Sequence, residues 1–339
     1  MTAERLGPRQ RPPGHPEVLS PIFWRDGRVI VLDQRRLPDE EIWTAYDSCD
    51  EVVRSIRDME VRGAPAIGCA GAFAVALLTR ENLPSPELRR RMREVVEARP
   101  TAINLGAAVH RMANVLIMEK DPAEEAQAIW RDDLAACHAI GAHGAALLPD
   151  EGTVLTHCNA GALATAGFGT ALGVIRAAVA AGKRLRVLCD ETRPWLQGAR
   201  LTAWELTEDG IPAEVIVDGA AAHFIASGEV KAIVVGADRI AKNGDVANKI
   251  GTLGAASAAS VFGVPFYVAA PTTTLDRSIA DGSAIPIESR SPDEVATIAG
   301  RRVVPPGVML RNPVFDVTPA RLVGAIITEV GVHKGPYSF

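Results

Sequence analysis

A short stretch of the chain places a carboxylic acid close to a candidate anion site. Ala232–Val235 is typical of a buried strand, because all four residues are apolar and most are β-branched. Asp238 follows, and open α/β sheets place their chemistry just beyond the carboxyl ends of such strands. Asn248 and Lys249 then precede a predicted helix from about Ile250, whose first N–H groups favour an anion. The pattern therefore predicts an acid beside an anion site.

Polar segments also follow the first and second strands of the predicted sheet, of which Ala232–Val235 is the fourth. Thr153–His157 leads to Cys158, and the strand after it leads to an acidic segment that ends near Gln197. Parallel strands end at one edge of a sheet, so we expect Cys158 and Asp238 to converge although about 80 residues separate them. A predicted helix over Ala160–Ala181 begins just after Cys158. Its dipole is expected to lower the thiol pKa and favour the thiolate.

Each candidate residue also has a plainer structural interpretation. A lone cysteine in an α/β core, such as Cys158, is usually a packing residue. Asp238 could simply cap a turn, and Lys249 could be an ordinary solvated lysine. Arg62 and Arg99 could pair with surface carboxylates. Spacing alone does not choose between these interpretations and a catalytic site.

Metal and cofactor binding are not predicted. The seven histidines are scattered and none has ligand spacing. Gly167-Phe168-Gly169 lacks the flanking residues of a dinucleotide fingerprint. His157 beside Cys158 suggests a nucleophile–base pair, but adjacent strand residues point to opposite faces of a sheet. We therefore expect no metal and no cofactor.

The order of predicted elements indicates two domains. An arginine- and proline-rich tail over residues 1–15 precedes a mostly helical N-terminal domain, 16–150, with a small antiparallel sheet. Residues 151–330 alternate strand and helix, which favours a Rossmann-like parallel sheet in an α/β fold. A last helix is predicted over Pro319–Val330, followed by a loose C-terminal tail, 331–339.

Composition excludes several classes of function. The net charge is −5 and no basic patch is dense, so no nucleic-acid partner is expected. No apolar run is long enough for a membrane span, and because residues 1–15 lack an apolar stretch we do not expect them to be a signal peptide. The five cysteines show no CxxC spacing, which is typical of reduced thiols and predicts a cytoplasmic protein.

Seven motifs taken together resemble one family. Their order and spacing over residues 20–330 resemble those of the methylthioribose-1-phosphate isomerases. The wider superfamily includes ribose-1,5-bisphosphate isomerases and regulatory subunits of a eukaryotic translation-initiation nucleotide-exchange factor. The motifs are RGAPAIG at 62–68, RPTAINL at 99–105, THCNAGALAT at 156–165, DETRPWLQGARLTAWEL at 190–206, GADRIAKNGDVANKIGT at 236–252, PFYVAAPTTTLD at 265–276 and NPVFDVTP at 312–319.

The resemblance implies a fold, a reaction and a set of site residues. It implies a homodimer that converts 5-methylthioribose 1-phosphate to 5-methylthioribulose 1-phosphate in methionine salvage. By motif position, Asp238 would be the proton donor and Cys158 its catalytic partner. The residues implied to bind the sugar phosphate are Arg62, Gly63, Ala64, Arg99, Gln197, Asn248 and Lys249.

The implied reaction suits these residue types. Phosphate on the anomeric oxygen prevents spontaneous ring opening, so an acid must protonate the ring oxygen, and burial raises an aspartate pKa in that direction. Hydrogen then moves from C2 to C1, either as a proton removed by the Cys158 thiolate or as a hydride. Arg62, Arg99 and Lys249 would neutralise the phosphate. A dry pocket would suppress loss of phosphate.

Two other functions stay open at this point. The chain could isomerise another sugar 1-phosphate, such as ribose 1,5-bisphosphate or 5-deoxyribose 1-phosphate; a second phosphate would require further cations, and a methylthio group would prefer apolar walls. The chain could also be a non-catalytic regulatory subunit. The joint presence of Cys158, Asp238 and the Asn248-Lys249 pair argues against a scaffold.

Overall fold

A three-stranded antiparallel sheet opens the chain. The computed structural model describes residues 11–100, 102–298 and 300–339, so residues 1–10 of the predicted tail lie outside the described residues. His15, at the end of that tail, packs edge-on against Phe23 and Trp43, with ring centroids 5.3 and 5.0 Å away. The strands are β1 Ile22–Arg25, β2 Arg28–Leu32 and β3 Trp43–Tyr46.

Five helices follow and form the predicted helical domain. Ser48 and Glu51 form a capping box at the start of the first helix, as a serine followed three residues later by glutamate favours. The second helix is buried at every residue except Pro65, so it is the centre of this core. The helices are α1 Cys49–Arg57, α2 Ala64–Leu78, α3 Ser85–Val96, α4 Ile103–Ile117 and α5 Pro122–Ala145.

The second half is a Rossmann-like unit, which confirms the predicted fold class. Its main strands are β4 Glu151–Thr156, β5 Arg184–Asp190, β6 Ala213–Ile216 and β7 Val230–Val235, followed by a small sheet. The helices here are α6 Ala171–Ala180, α7 Ala203–Glu208, α8 Ala221–Ala226 and α9 Thr252–Phe262. The small sheet consists of β8 Arg239–Ala241, β9 Val246–Lys249, β11 Leu275–Asp276 and β14 Phe315–Thr318.

The remaining elements are a short helix and the strands that complete the large sheet or form a separate two-stranded hairpin. They are β10 Phe266–Ala269, α10 Asp293–Ala296, the hairpin β12 Thr297–Ile298 and β13 Arg301–Arg302, and the last strands β15 Ala325–Thr328 and β16 Gly331–His333. The large sheet has the order β16-β15-β10-β7-β4-β5-β6, and only β16 is antiparallel to its neighbour. Successive strands are therefore added on one side of β4 as far as β6 and on its other side from β7 onward. The place between β4 and β7 is the switch point of the sheet, where open α/β sheets bind ligands.

The predicted helix over Pro319–Val330 is wrong. Ala325–Thr328 is instead a fully buried strand that pairs in parallel with β10. A short apolar run fits a buried strand and a buried helix equally well, and only the partner strand decides. The predicted loose tail from Gly331 is wrong for the same reason: β16 pairs with β15, and the Tyr337 hydroxyl donates to the Val323 carbonyl at 2.9 Å.

The predicted helix over Ala160–Ala181 is also only half right, since the α-helix begins at Ala171. Between Gly161 and Gly169 the chain doubles back on itself. A Cβ at Gly169, where φ is +86°, would lie 2.5 Å from the Gly161 backbone. Such close approach requires glycine and excludes a regular helix. Among the described residues, no helix combines the length and apolar character that a bilayer crossing requires.

Candidate active site

One cavity lies at the carboxyl ends of β4, β5 and β7, beside the switch point of the sheet. All nine residues that the resemblance implies, Arg62, Gly63, Ala64, Arg99, Cys158, Gln197, Asp238, Asn248 and Lys249, line its wall. Their elements come from both halves of the chain. The fold thus brings together residues that are far apart in sequence, and each is described below by what holds it.

Asp238 lies directly after β7, and its position is fixed through the backbone. Its amide N–H donates to the Ala247 carbonyl at 2.9 Å, which ties the β7 end to strand β9. Burial raises the pKa of the Asp238 carboxyl, while Lys249, Arg62 and Arg99 act in the opposite direction. The net shift is upward, which favours the protonated acid that ring opening needs.

Cys158 has a backbone conformation that packing alone does not require. Its φ is +65°, in the left-handed region that side chains with a Cβ seldom adopt. Two threonine hydroxyls hold it there: the Cys158 amide donates to Thr192 Oγ1 at 2.8 Å, and Thr202 Oγ1 donates to the Cys158 carbonyl at 2.6 Å. Strained positions that neighbours over-determine are typical of functional sites.

The predicted thiolate at Cys158 is not supported. Burial raises the pKa of the Cys158 thiol, and the nearby Arg62 and Lys249 charges only partly offset this. The helix expected to start next to Cys158 begins at Ala171 instead, so its dipole does not act on the sulfur. The raised pKa of Cys158 favours the neutral thiol over the thiolate.

The predicted anion site at the start of α9 is already occupied by a carboxylate of the protein itself. The Asp316 carboxylate accepts hydrogen bonds from the Gly251 and Leu253 amides, at 2.7 and 3.1 Å. A carboxylate at this position stabilises the helix N-terminus and leaves no room there for a ligand anion. Lys249 lies on β9, ahead of that helix, and its ammonium stands 4.1 Å above the Phe315 ring centroid.

The helix start that faces the cavity belongs to α2. Gly63 and Ala64 line the cavity, and no side chain caps the helix. A Cβ at Gly63, where φ is +92°, would lie 2.5 Å from the Ala164 Cα, so the backbone can approach this closely only with glycine. The uncapped N–H groups and the helix dipole make this end a suitable place for an anion.

Cationic and polar side chains surround that helix start. Arg62 is held by Asn159, to whose carbonyl its Nη2 donates at 2.8 Å. Arg99 forms an ion pair with Glu288 at 3.4 Å. Gln197 is buried, and its Oε1 accepts no hydrogen bond from the described residues. A buried acceptor in a cavity wall is costly unless a ligand hydroxyl donates to it, which suits a sugar.

Sequence reasoning missed a buried His157–Asp190 pair beside Cys158. His157 Nδ1 lies 2.8 Å from Asp190 Oδ2, and Nε2 lies 2.8 Å from the Ile250 carbonyl, to which it can only donate. Burial alone lowers the pKa of His157, but its bond to Asp190 raises it overall, while burial raises the pKa of Asp190. His157 and Asp190 share one proton. Their hydrogen bonds connect the ends of β4 and β5 to Ile250, the residue after Lys249.

His157, Asp190 and Asp218 bring three possible metal ligands within 4.8 Å of one another. Most of these atoms already have protein partners, although the buried Asp190 Oδ1 accepts no hydrogen bond from the described residues. Both His157 nitrogens have protein partners, and the Asp218 carboxylate accepts from the Thr192 and Arg193 amides at 2.7 Å each. The donor set therefore fits an internal hydrogen-bond network better than a metal centre.

The fold and the cavity together define a class of protein. Its members have a Rossmann-like domain with a carboxylic acid, here Asp238, and a thiol, here Cys158, among several cationic side chains near the switch point of the sheet. Comparison with known proteins agrees. The model of the initiation factor 2 subunit family matches residues 60–335. The chain is 57% identical to a methylthioribose-1-phosphate isomerase from Anaeromyxobacter sp. (strain Fw109-5), over 96% of this chain and 97% of the relative.

Two solved structures share the whole fold. 5-Methylthioribose 1-phosphate isomerase from Pyrococcus horikoshii OT3 is 40% identical with a TM-score of 0.86, covering 97% of this chain and 96% of its own. A structure described as translation initiation factor eIF-2B, subunit delta, from A. fulgidus is also 40% identical, with a TM-score of 0.83 and coverages of 94% and 97%. The chain belongs to the initiation factor 2 subunit family and, within it, to the methylthioribose-1-phosphate isomerases.

Proposed function

We propose that this protein is an aldose–ketose isomerase that converts 5-methylthioribose 1-phosphate to 5-methylthioribulose 1-phosphate in methionine salvage. The observation that carries the proposal is the position of Asp238 and Cys158 on the wall of one cavity that also holds Arg62, Arg99 and Lys249. A regulatory scaffold needs no such combination. The names of the relatives described above support this choice of substrate.

Asp238 opens the sugar ring in this proposal. Its protonated carboxyl gives its proton to the ring oxygen, the bond between C1 and that oxygen breaks, and C1 is left as an oxocarbenium ion that still carries phosphate. The raised pKa of Asp238 keeps a larger fraction of the acid protonated. General acid catalysis of this kind contributes about 10²–10⁴-fold, roughly 3–5 kcal/mol of barrier.

Hydrogen then moves within the substrate as a hydride. It passes from C2 to C1 with its electron pair, C2 becomes the ketone carbon, and the 2-hydroxyl proton returns to the Asp238 carboxylate. The neutral Cys158 thiol favours this route over proton abstraction by a thiolate. A polarisable sulfur at this position stabilises the cationic carbon without acting as a base. The cycle leaves Asp238 protonated, as it began.

Turnover in D₂O distinguishes the two routes. A hydride shift keeps the substrate hydrogen, so we expect the product to carry no deuterium at C1. Product incubated with the enzyme in D₂O serves as the control for later exchange. Full deuteration at C1 during turnover would refute the hydride route and require a base that removes the C2 proton.

A panel of sugar 1-phosphates tests the proposed activity. We expect the highest kcat/KM for 5-methylthioribose 1-phosphate, lower values for 5-deoxyribose 1-phosphate and the lowest for ribose 1,5-bisphosphate. The apolar side chains of Met59, Ile67 and Ile285 in the cavity wall suit an uncharged 5-substituent. Absence of turnover with every member of the panel would contradict the proposal and favour a regulatory role.

We further propose that the protein is a cytoplasmic homodimer. All five cysteines are free thiols, as reducing compartments favour. The edge strand β6 leaves Val215 47% exposed, and Val217 just beyond it is 60% exposed, an apolar edge that a second copy could cover. Light scattering coupled to size-exclusion chromatography measures the oligomeric state, and a mass of one chain at micromolar concentration would refute the dimer.

A further inference from the structure

Arg290 lies in the cavity wall, although no motif pointed to it. It comes from the long irregular segment between β11 and β14, and its side chain is only 13% exposed. Nη1 lies 3.1 Å from the Met59 sulfur, so the guanidinium is held against the helical domain. An arginine buried this deeply normally has its donors satisfied by carboxylates or carbonyls.

Two of its donors are not satisfied in that way. Nε and Nη2 are buried, and neither makes a hydrogen bond to any described residue. The Glu294 carboxylate comes within 3.2 Å of Nη2 but is not aligned to accept from it, and its Oε2 accepts instead from Asn312 Nδ2 at 3.0 Å. A buried N–H group without an acceptor is costly, so an acceptor from outside the chain is expected.

The two unsatisfied atoms define the geometry of that acceptor. Nε and Nη2 form one edge of the planar guanidinium, the edge that binds two oxygens of a phosphate or carboxylate together. Arg62 is already engaged by Asn159, and Arg99 by Glu288. Arg290 has the Glu294 carboxylate nearby, but its Nε and Nη2 make no hydrogen bond to a described residue.

Arg290 also shares its surroundings with Lys249. Burial lowers the pKa of the Lys249 ammonium, and the positive charges of Arg290 and Arg62 lower it further, while Cys158 and Asp238 act in the opposite direction. Three cationic side chains, Arg62, Lys249 and Arg290, thus line the same cavity. Placing a phosphate dianion among them would relieve this repulsion, because the attraction between opposite charges is strong where water is excluded.

We propose that Arg290 is a substrate-binding residue whose Nε and Nη2 donate hydrogen bonds to two phosphate oxygens of the sugar phosphate. The proposal rests on the proposed function for the identity of the sugar. The oxyanion site itself does not depend on which sugar is bound. Arg290 then lines the phosphate site together with the α2 helix start, and the segment that carries it becomes part of the substrate cavity.

The test compares Arg290→Lys and Arg290→Met in the full chain. Lysine keeps the charge but lacks the paired donors, and methionine removes both. Arg302→Met, an exposed arginine of the same segment, is the matched control. Calorimetry with inorganic phosphate gives the Kd without any turnover, KM is measured with 5-methylthioribose 1-phosphate, and thermal melting checks the fold.

We expect both Arg290 variants to weaken phosphate binding and raise KM by about tenfold or more, with Arg302→Met unchanged. A change of less than about threefold in the phosphate Kd of the folded methionine variant would overturn the proposal. If that variant does not fold, full phosphate affinity in Arg290→Lys overturns it instead. Failure of the wild type to turn over any sugar phosphate rejects the proposed function alone, because the phosphate Kd still tests Arg290.

Discussion

Replacing Asp238 with asparagine is the most direct test of the proposed chemistry. The amide has nearly the shape of the carboxyl, but it cannot give up a proton as an acid. We expect kcat to fall by about 10²–10⁴-fold, which corresponds to roughly 3–5 kcal/mol of lost transition-state stabilisation. Asparagine is uncharged, like the protonated acid, so it brings no negative charge near Lys249, Arg62 and Arg99, which surround the phosphate. Substrate binding should therefore be retained or become tighter.

The pH profile gives an independent signature of the same role. A general acid must be protonated, so wild-type kcat/KM should fall as pH rises through the pKa of Asp238, which burial places above the usual aspartate value. The asparagine variant should lack that alkaline decline. Asp281→Asn, at an exposed acid outside the cavity, is the control. A variant at position 238 with kcat within about threefold of wild type, or with an unchanged pH profile, would refute the general-acid role.

Three further substitutions test other parts of the site. Cys158→Ser should fold normally and lose most activity. Cys158 is 8% exposed, against 1% or less for the other four cysteines, so it should be the first cysteine to react with iodoacetamide. Bound substrate should slow that reaction. Unprotected labelling would return Cys158 to a packing role. Lys249→Ala should raise KM by roughly 10–100-fold, with exposed Lys231→Ala as control, because hydrogen bonds to charged groups contribute about 1.5–3 kcal/mol. Gly63→Ala should cost at least about 2 kcal/mol of unfolding free energy in urea titrations. Gly106→Ala, where an added Cβ meets no atom within 4 Å, should be neutral or stabilising, and equal stabilities would contradict the close approach.

Sequence alone was sufficient for the parts of the fold that follow from local pattern. The buried strands that precede Cys158 and Asp238 were predicted from short runs rich in β-branched residues. Their convergence followed from the rule that parallel strands end at one edge. The assignment of Gln197, Arg62 and the other binding residues to one site came from the resemblance. Their roles in catalysis stay predictions until the variants are measured.

The remainder depended on tertiary contacts that no pattern records. The strand Ala325–Thr328 needed its partner β10 to be distinguished from a helix. The helix start after Lys249 looked suitable for an anion until Asp316, more than 60 residues later, was seen to cap it. The pKa of Cys158 was predicted in the wrong direction, because burial depends on the whole fold. Arg290 had no signal, since it lies outside the seven motifs and outside every helix and strand.

The tight backbone approach at Gly63 has an evolutionary consequence. Glycine is required there by the fold itself, since a Cβ would meet the Ala164 backbone whatever the cavity contains. The fold does not require the side chains of Cys158, Asp238 and Arg290 in the same way. Their thiol, carboxyl and guanidinium groups are explained by the proposed reaction. A descendant gene could therefore lose turnover through a few substitutions and still inherit the architecture intact. In such a family, overall sequence similarity shows common ancestry. The residues at a few cavity positions distinguish the enzymes from relatives that have another function.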